Sequence, residues 1–151
     1  MDESNPDRYV FFDKTADAKF QAFGITVEES FKNALEAMMS LMYNVEEISA
    51  ADFDISEREF TVAAENLEAL LYNFLEEALY LLSAELFVGL AKQVIIKQVE
   101  EGFKLKAVLE GTQSINLEST GPEVKAATYN EMYVKLDSKT GRYVCQVVVD
   151  I

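Results

Sequence analysis

Apolar positions along this chain follow two spacings. Before Gly89, two long stretches carry apolar residues every three or four positions, set among short runs that alternate. From Gly89 onward the period is two. Arg8 to Asp13 and Asp17 to Phe23 alternate and are rich in aromatics, and the three residues between them suit a hairpin. Thr26 followed by Glu29 makes a capping box. Beyond it Val27, Phe31, Ala34, Leu35, Met38, Leu41 and Met42 form a helical stripe. That stripe, with its methionines, reads as core packing more simply than as a partner groove. Val45 to Ser56 reads as an acidic connector and Glu59 to Ala63 as a short strand. Asn66 caps a second helix from Leu67 to about Leu82, apolar on most faces and so expected to be the most buried. Further strands are expected at Ala91–Val99, Phe103–Glu110, Val124–Leu136 and Tyr143–Asp150. The last is apolar on both faces, the pattern of a strand covered on both sides. The order β-β-α-β-α followed by four strands predicts an α+β sandwich, two helices on a mostly antiparallel, mixed sheet.

A length of 151 residues suits one domain over 1–151, with Met1 to Asp7 as a polar leader unlike a signal peptide. No apolar run approaches the ~18 residues that span a bilayer. The single cysteine, Cys145, cannot form an internal disulfide and alternates with Tyr143 and Val147, as a small buried residue would. These features predict a cytoplasmic, reduced, monomeric protein. The net charge of −14 changes the picture of partners. Proteins that grip phosphate backbones cluster Lys and Arg, whereas the thirteen basic residues here are scattered among acids. Tight direct binding to nucleic acid is therefore not expected, and strong acidity favours a basic partner.

The chain has no histidine. That excludes His-ligated zinc, a Ser-His-Asp triad and a histidine general base, and one cysteine excludes thiolate metal sites. No glycine-rich phosphate loop is present. What remains is oxygen chemistry: carboxylates suit hard cations, calcium first, with magnesium or manganese possible. The candidates are Asp17, Asp150 and the α-carboxylate of Ile151, with Asp13 a weaker fourth. If the two chain ends meet, these groups gather negative charge that a cation would relieve; otherwise Asp150 merely ends a strand at the solvent edge. The paired acids Glu46-Glu47, Glu76-Glu77 and Glu100-Glu101 read as solvated helix or turn positions.

Several segments resemble one family. Tyr9-Val10-Phe11-Phe12-Asp13-Lys14-Thr15-Ala16-Asp17 and then Phe23-Gly24-Ile25-Thr26-Val27-Glu28-Glu29-Ser30-Phe31 resemble the N-terminal signature of archease, the small acidic protein that assists the RNA ligase of tRNA splicing. Glu123-Val124-Lys125-Ala126-Ala127-Thr128-Tyr129 and Val147-Val148-Val149-Asp150-Ile151 resemble its C-terminal signature. The stretch from Asn66 to Glu77 is similar to the family's second helix. The resemblance implies that the last strand pairs beside the N-terminal hairpin, bringing Asp150 to Asp17, and that Asp17, Asp150 and Ile151 hold the metal. Two positions depart from the pattern: Lys14 stands where the family usually has His before Thr-Ala-Asp, and Asn130 where it has His after Thr-Tyr. Lys125 and Tyr129 read as structural residues of a strand. The function implied is a non-enzymatic activator of the GTP-dependent RNA 3'-phosphate/5'-hydroxyl ligase, promoting its guanylylation and multiple turnover. A small divalent-metal-dependent hydrolase and a general protein-interaction or chaperone-like module stay open as alternatives.

Overall fold

The computed structural model describes residues 7–13, 17–50 and 54–151. The elements run β1 (Tyr9–Phe12), β2 (Asp17–Gly24), α1 (Val27–Ser40), α2 (Glu46–Ala50), β3 (Ser56–Ala64), α3 (Leu67–Glu85), β4 (Phe87–Val99), β5 (Gly102–Gln113), a 3-10 turn (Ser114–Asn116), β6 (Ala126–Asp137) and β7 (Arg142–Asp150). The α+β class and the antiparallel pairing expected from the sequence are both present. The strands, however, divide into two sheets, β1-β2-β7-β6 and β3-β5-β4, in which every strand pair is antiparallel. Both long helices touch strands of both sheets.

Capping sets where the helices begin. The Thr26 hydroxyl accepts the Glu29 amide at 3.1 Å, while the Glu29 carboxylate reaches back to the Ile25 amide at 2.9 Å, one residue beyond the cap itself. Asn66 Oδ1 accepts the Ala69 amide at 2.8 Å. Helix α3 continues three residues past Leu82, because Ser83-Ala84-Glu85 offers no breaker; it ends where Leu86 turns left-handed at φ 57°. Helix α2 is a third helix that the sequence pattern read as connector. A single turn shows no periodicity, and it is anchored by buried Ile48.

Burial also corrects the ranking of the helices. Eight of the fourteen residues of α1 are buried, against seven of nineteen in α3. The extra buried positions of α1 are small: Ser30, Ala34, Ala37 and Ser40. Both serine hydroxyls donate to carbonyls of their own helix, to Val27 and Ala37, each at 2.7 Å, so they are satisfied inside the core. Hydrophobic periodicity registers Ala34 but not Ser30, Ala37 or Ser40. The methionine stripe lies in the core, with Met38 and Met39 fully buried.

Gly89 and Gly111 face each other across β4 and β5. A Cβ on Gly111 would lie 1.9 Å from the Val88 carbonyl oxygen, so the backbones approach too closely for any side chain. Read as boundaries, these glycines shortened both predicted strands; they instead lie inside the hairpin.

In the first sheet β7 is central, between β2 and β6, and Val144 to Val149 are all buried. This is the two-sided cover its sequence predicts. Strand β6 forms one edge, and α3 lies along it. Glu68 Oε2 accepts the Val134 amide at 3.1 Å and Glu76 Oε2 accepts the Ala127 amide at 2.9 Å, so helix carboxylates occupy donors of the edge strand. Glu76 is thus a hydrogen-bonding residue of the fold, not the solvated surface acid its sequence position suggests.

Candidate functional site

Strands β2 and β7 pair in unbroken register from Asp17 opposite Asp150 to Gly24 opposite Tyr143. Residues directly opposite in an antiparallel pair point to the same face, with Cβ atoms about 4.5–5.5 Å apart. Four residues along, that face is marked by Gln21 Nε2 donating to Gln146 Oε1 at 3.0 Å. By alternation Asp17 and Asp150 share it, at the end of the strand pair. The opposite face carries Ala18 and Val149 into the core. Asp150 is also opposite Ala126 on β6, and its carbonyl accepts the Lys125 amide at 2.8 Å, so its backbone is fixed from both sides.

Ile151 follows immediately. Its half-buried side chain packs against the core. Asp13 is exposed. Lys14, Thr15 and Ala16, the middle of the N-terminal motif, lie outside the described residues, as do residues 1–6 of the leader. Among the described residues no three His, Cys, Asp or Glu side chains gather as a metal-holding group. The side-chain donors that the strand register brings together here are the carboxylates of Asp17 and Asp150.

Lys19 lies on the same face, two residues from Asp17 along β2. Its Nζ is hydrogen-bonded to Glu131 Oε1 at 3.1 Å and sits 5.4 Å from the centre of the Phe12 ring. No ion pair joins Asp17 or Asp150 to a basic side chain among the described residues. Among the described residues, no protein cation therefore lies between these two like charges.

Glu131 owes its place to an irregularity that the alternating sequence pattern of β6 did not reveal. Between Thr128–Val148 and Tyr133–Gln146 the pairing advances five residues on β6 against two on β7, leaving Tyr129 to Met132 outside the ladder. The structure shows it as a run of exposed residues, Tyr129, Asn130 and Glu131, where alternation demands a buried one. Tyr129 thus lies within β6 but outside its pairing with β7. It is 55% exposed and stacks on Tyr72 of α3, with ring centres 4.4 Å apart. Asn130 donates its amide to the Thr128 hydroxyl at 3.2 Å and is otherwise exposed.

Elsewhere the chemistry is quiet. Cys145 is fully buried beside Ser30, and burial pushes its thiol up to about 12. It is a packing residue, as its alternation predicts. Three cavities of about 350, 440 and 220 Å3 include none of Asp17, Asp150 or Ile151 in their walls. The aspartate pair stands at the strand end with its charge turned outward.

A model of the Archease protein family (MTH1598/TM1083) matches residues 9–151. The chain belongs to the archease family. Its resemblance, carried by the motifs from Tyr9 to Ile151, is matched by full-length relatives. The protein archease of Methanosarcina mazei is 38% identical, the alignment covering 95% of this chain and 96% of that protein. The protein archease of Pyrococcus abyssi is 36% identical, covering 95% and 99%. A protein archease-like of Drosophila melanogaster is 31% identical, covering 95% and 90%. The solution structure of Methanobacterium thermoautotrophicum protein 1598 superposes with a TM-score of 0.81 at 29% identity, covering 96% of this chain and 99% of that one. Archease membership places the chain in the context of RNA processing. Among the described residues no helix is long and apolar enough to cross a membrane.

Proposed function

We propose that this archease-family protein is a non-enzymatic activator of the GTP-dependent RNA 3'-phosphate/5'-hydroxyl ligase of tRNA splicing, promoting its guanylylation and multiple turnover. The observation that carries the reading is the register of Asp17 opposite Asp150 with Ile151 next in the chain, in a protein of this family. All donors there are oxygens, a set that suits calcium, with magnesium or manganese as substitutes. Calcium prefers 6–8 oxygen ligands. Asp17, Asp150 and the α-carboxylate of Ile151 would hold it on one side and leave the other to water or to groups of the ligase. When bound, the cation supplies positive charge that neutralises the aspartates and is presented outward.

The protein's own residues do the positioning. Strand pairing holds the two carboxylates in fixed opposition, the Lys125 amide fixes the Asp150 backbone, and the Ile151 side chain pins the terminus. An outward pair does not enclose a substrate, which favours a partner-facing role over hydrolysis. The charge of −14 favours a basic protein surface over direct RNA contact. The protein is read as a cytoplasmic monomer that meets the ligase near the ligase's own metal site. Incubation of the pure protein with RNA, GTP and magnesium or manganese tests the reading. No turnover by the protein alone, with stimulation once the ligase is added, supports it; phosphodiester cleavage by the protein alone overturns it in favour of the hydrolase.

A further inference from the structure

The insertion in β6 is more elaborate than a bulge needs to be. A common β-bulge places two residues opposite one; here three extra residues accumulate, five on β6 facing two on β7. Several contacts hold the excursion. The Thr128 hydroxyl donates to the Val148 carbonyl at 2.8 Å and accepts the Asn130 amide at 3.2 Å. Gln146, only 8% exposed, donates from Nε2 to the Glu131 carbonyl at 2.7 Å, and its own carbonyl is held by Gln21. Glu131 adopts φ 54°, a left-handed conformation that L side chains rarely take. A conformation this constrained persists because its surroundings over-determine it, and such elements cluster at recognition sites.

What the excursion presents is a ring. Tyr129 is stacked on Tyr72 with planes 13° apart, yet remains 55% exposed, so its second face is open to solvent. One carboxylate lies beside the stack. Glu76 raises the Tyr72 phenol above its ordinary value by its charge, while Glu131, two residues from Tyr129, pairs with Lys19 at 3.1 Å. An open tyrosine face with Glu76 beside its stack, in a chain of net charge −14, attracts a cation and repels a phosphate. Of the two basic side chains, the planar, weakly hydrated guanidinium stacks on an aromatic face, whereas an ammonium stays hydrated.

We propose that the Tyr129–Met132 excursion is the docking element for a basic protein segment, and that an arginine of that partner lies on the open face of Tyr129 as the third layer of the Tyr72–Tyr129 stack. The proposal deepens the ligase-activator reading and rests on it only for the partner's identity. Two substitutions separate ring from hydroxyl: Tyr129→Leu removes the ring and keeps apolar bulk, while Tyr129→Phe keeps the ring. Unchanged melting of both shows that the fold is intact. Affinity for the tRNA-splicing ligase falls about tenfold in Tyr129→Leu and stays within about twofold in Tyr129→Phe, as expected of a cation on an aromatic face. A second arm titrates the free protein with hexa-arginine and hexa-lysine, read by tyrosine fluorescence because the chain has no tryptophan. The arginine peptide binds more tightly, and the difference vanishes in Tyr129→Leu. Wild-type affinity in Tyr129→Leu, equal losses in the two variants, or equal binding of the two peptides overturns the proposal. If the ligase fails to bind the wild-type protein, the activator reading falls, and the peptide arm alone then decides for or against the docking element.

Discussion

Replacing Asp17 by Asn should stabilise the metal-free protein and destabilise the metal-loaded one. The two carboxylates are paired in register on one face, with Cβ atoms about 4.5–5.5 Å apart. Two unit charges about 5 Å apart repel by about 1 kcal/mol in bulk water and about 3 kcal/mol at an effective dielectric of 20. Asp150 is exposed, so the lower figure applies. It agrees with the span of about 0.2–1 kcal/mol found for cross-strand pairs. Lys19 cannot offset the repulsion, because Glu131 already holds its ammonium. Asp17→Asn or Asp150→Asn should therefore add about 0.5–1 kcal/mol in chelator, raising Tm by about 1–4 °C at this chain length. Added salt should shrink the gain, since the Debye length falls to about 3 Å at 1 M. The double variant should gain no more than either single one, because removing one charge already ends the repulsion; the coupling energy is then about 0.5–1 kcal/mol. With calcium at a hundredfold its Kd, the wild type gains about 2.7 kcal/mol, which the variants lose, so the order of melting temperatures inverts. Thermal unfolding of the four proteins in EDTA and in calcium measures all of this. Additive effects in EDTA, or an order unchanged by calcium, would refute the opposition of charges and their joining through a cation.

Three further outcomes follow from the same geometry. A C-terminal tag converts the Ile151 carboxylate to an amide and should lower calcium affinity, while an N-terminal tag should not; equal affinities in calorimetry would remove Ile151 from the ligand set. Gly111→Ala drives a Cβ to 1.9 Å from the Val88 oxygen, and should cost about 3 kcal/mol or more, read as a fall in the denaturant midpoint. Cys145 is held protonated up to about 12 when folded, against about 8.5 in an unfolded chain. Its contribution is intact below the lower value and is lost as pH rises towards the higher, at about 1.4 kcal/mol per pH unit. Cys145→Ala should flatten that alkaline slope between about pH 9 and 12, and an unchanged slope would contradict the buried thiol.

The parts of the fold visible in the sequence were those governed by strict periodicity or by capping chemistry. Thr26 with Glu29 and Asn66 announced two helices, and the double-faced apolar run Tyr143 to Asp150 announced the central strand. What escaped was structure without a period. The one-turn helix at Glu46–Ala50 is too short to repeat. The facing glycines 89 and 111 look like breakers until their strands are paired. The small residues of α1 pack tightly while appearing polar or weakly apolar. The division into two sheets could not be read because pairing is a tertiary property. At the site, the candidate aspartates were legible as residue types at the two chain ends, and family resemblance implied their meeting. The excursion at Tyr129–Met132 was hidden inside what read as one strand.

The central claim is activation of the ligase through the Asp17–Asp150 end of the sheet. Its most direct measurement is the rate of covalent guanylylation of the tRNA-splicing RNA ligase by labelled GTP. The ligase is taken alone, with wild-type protein, and with Asp150→Asn, whose melting is measured alongside to check that it is folded. Guanylylation should be faster, and ligation repeated, with substoichiometric wild-type protein, and near-basal rates are expected with Asp150→Asn. Equal stimulation by the variant, with normal binding to the ligase, would contradict it.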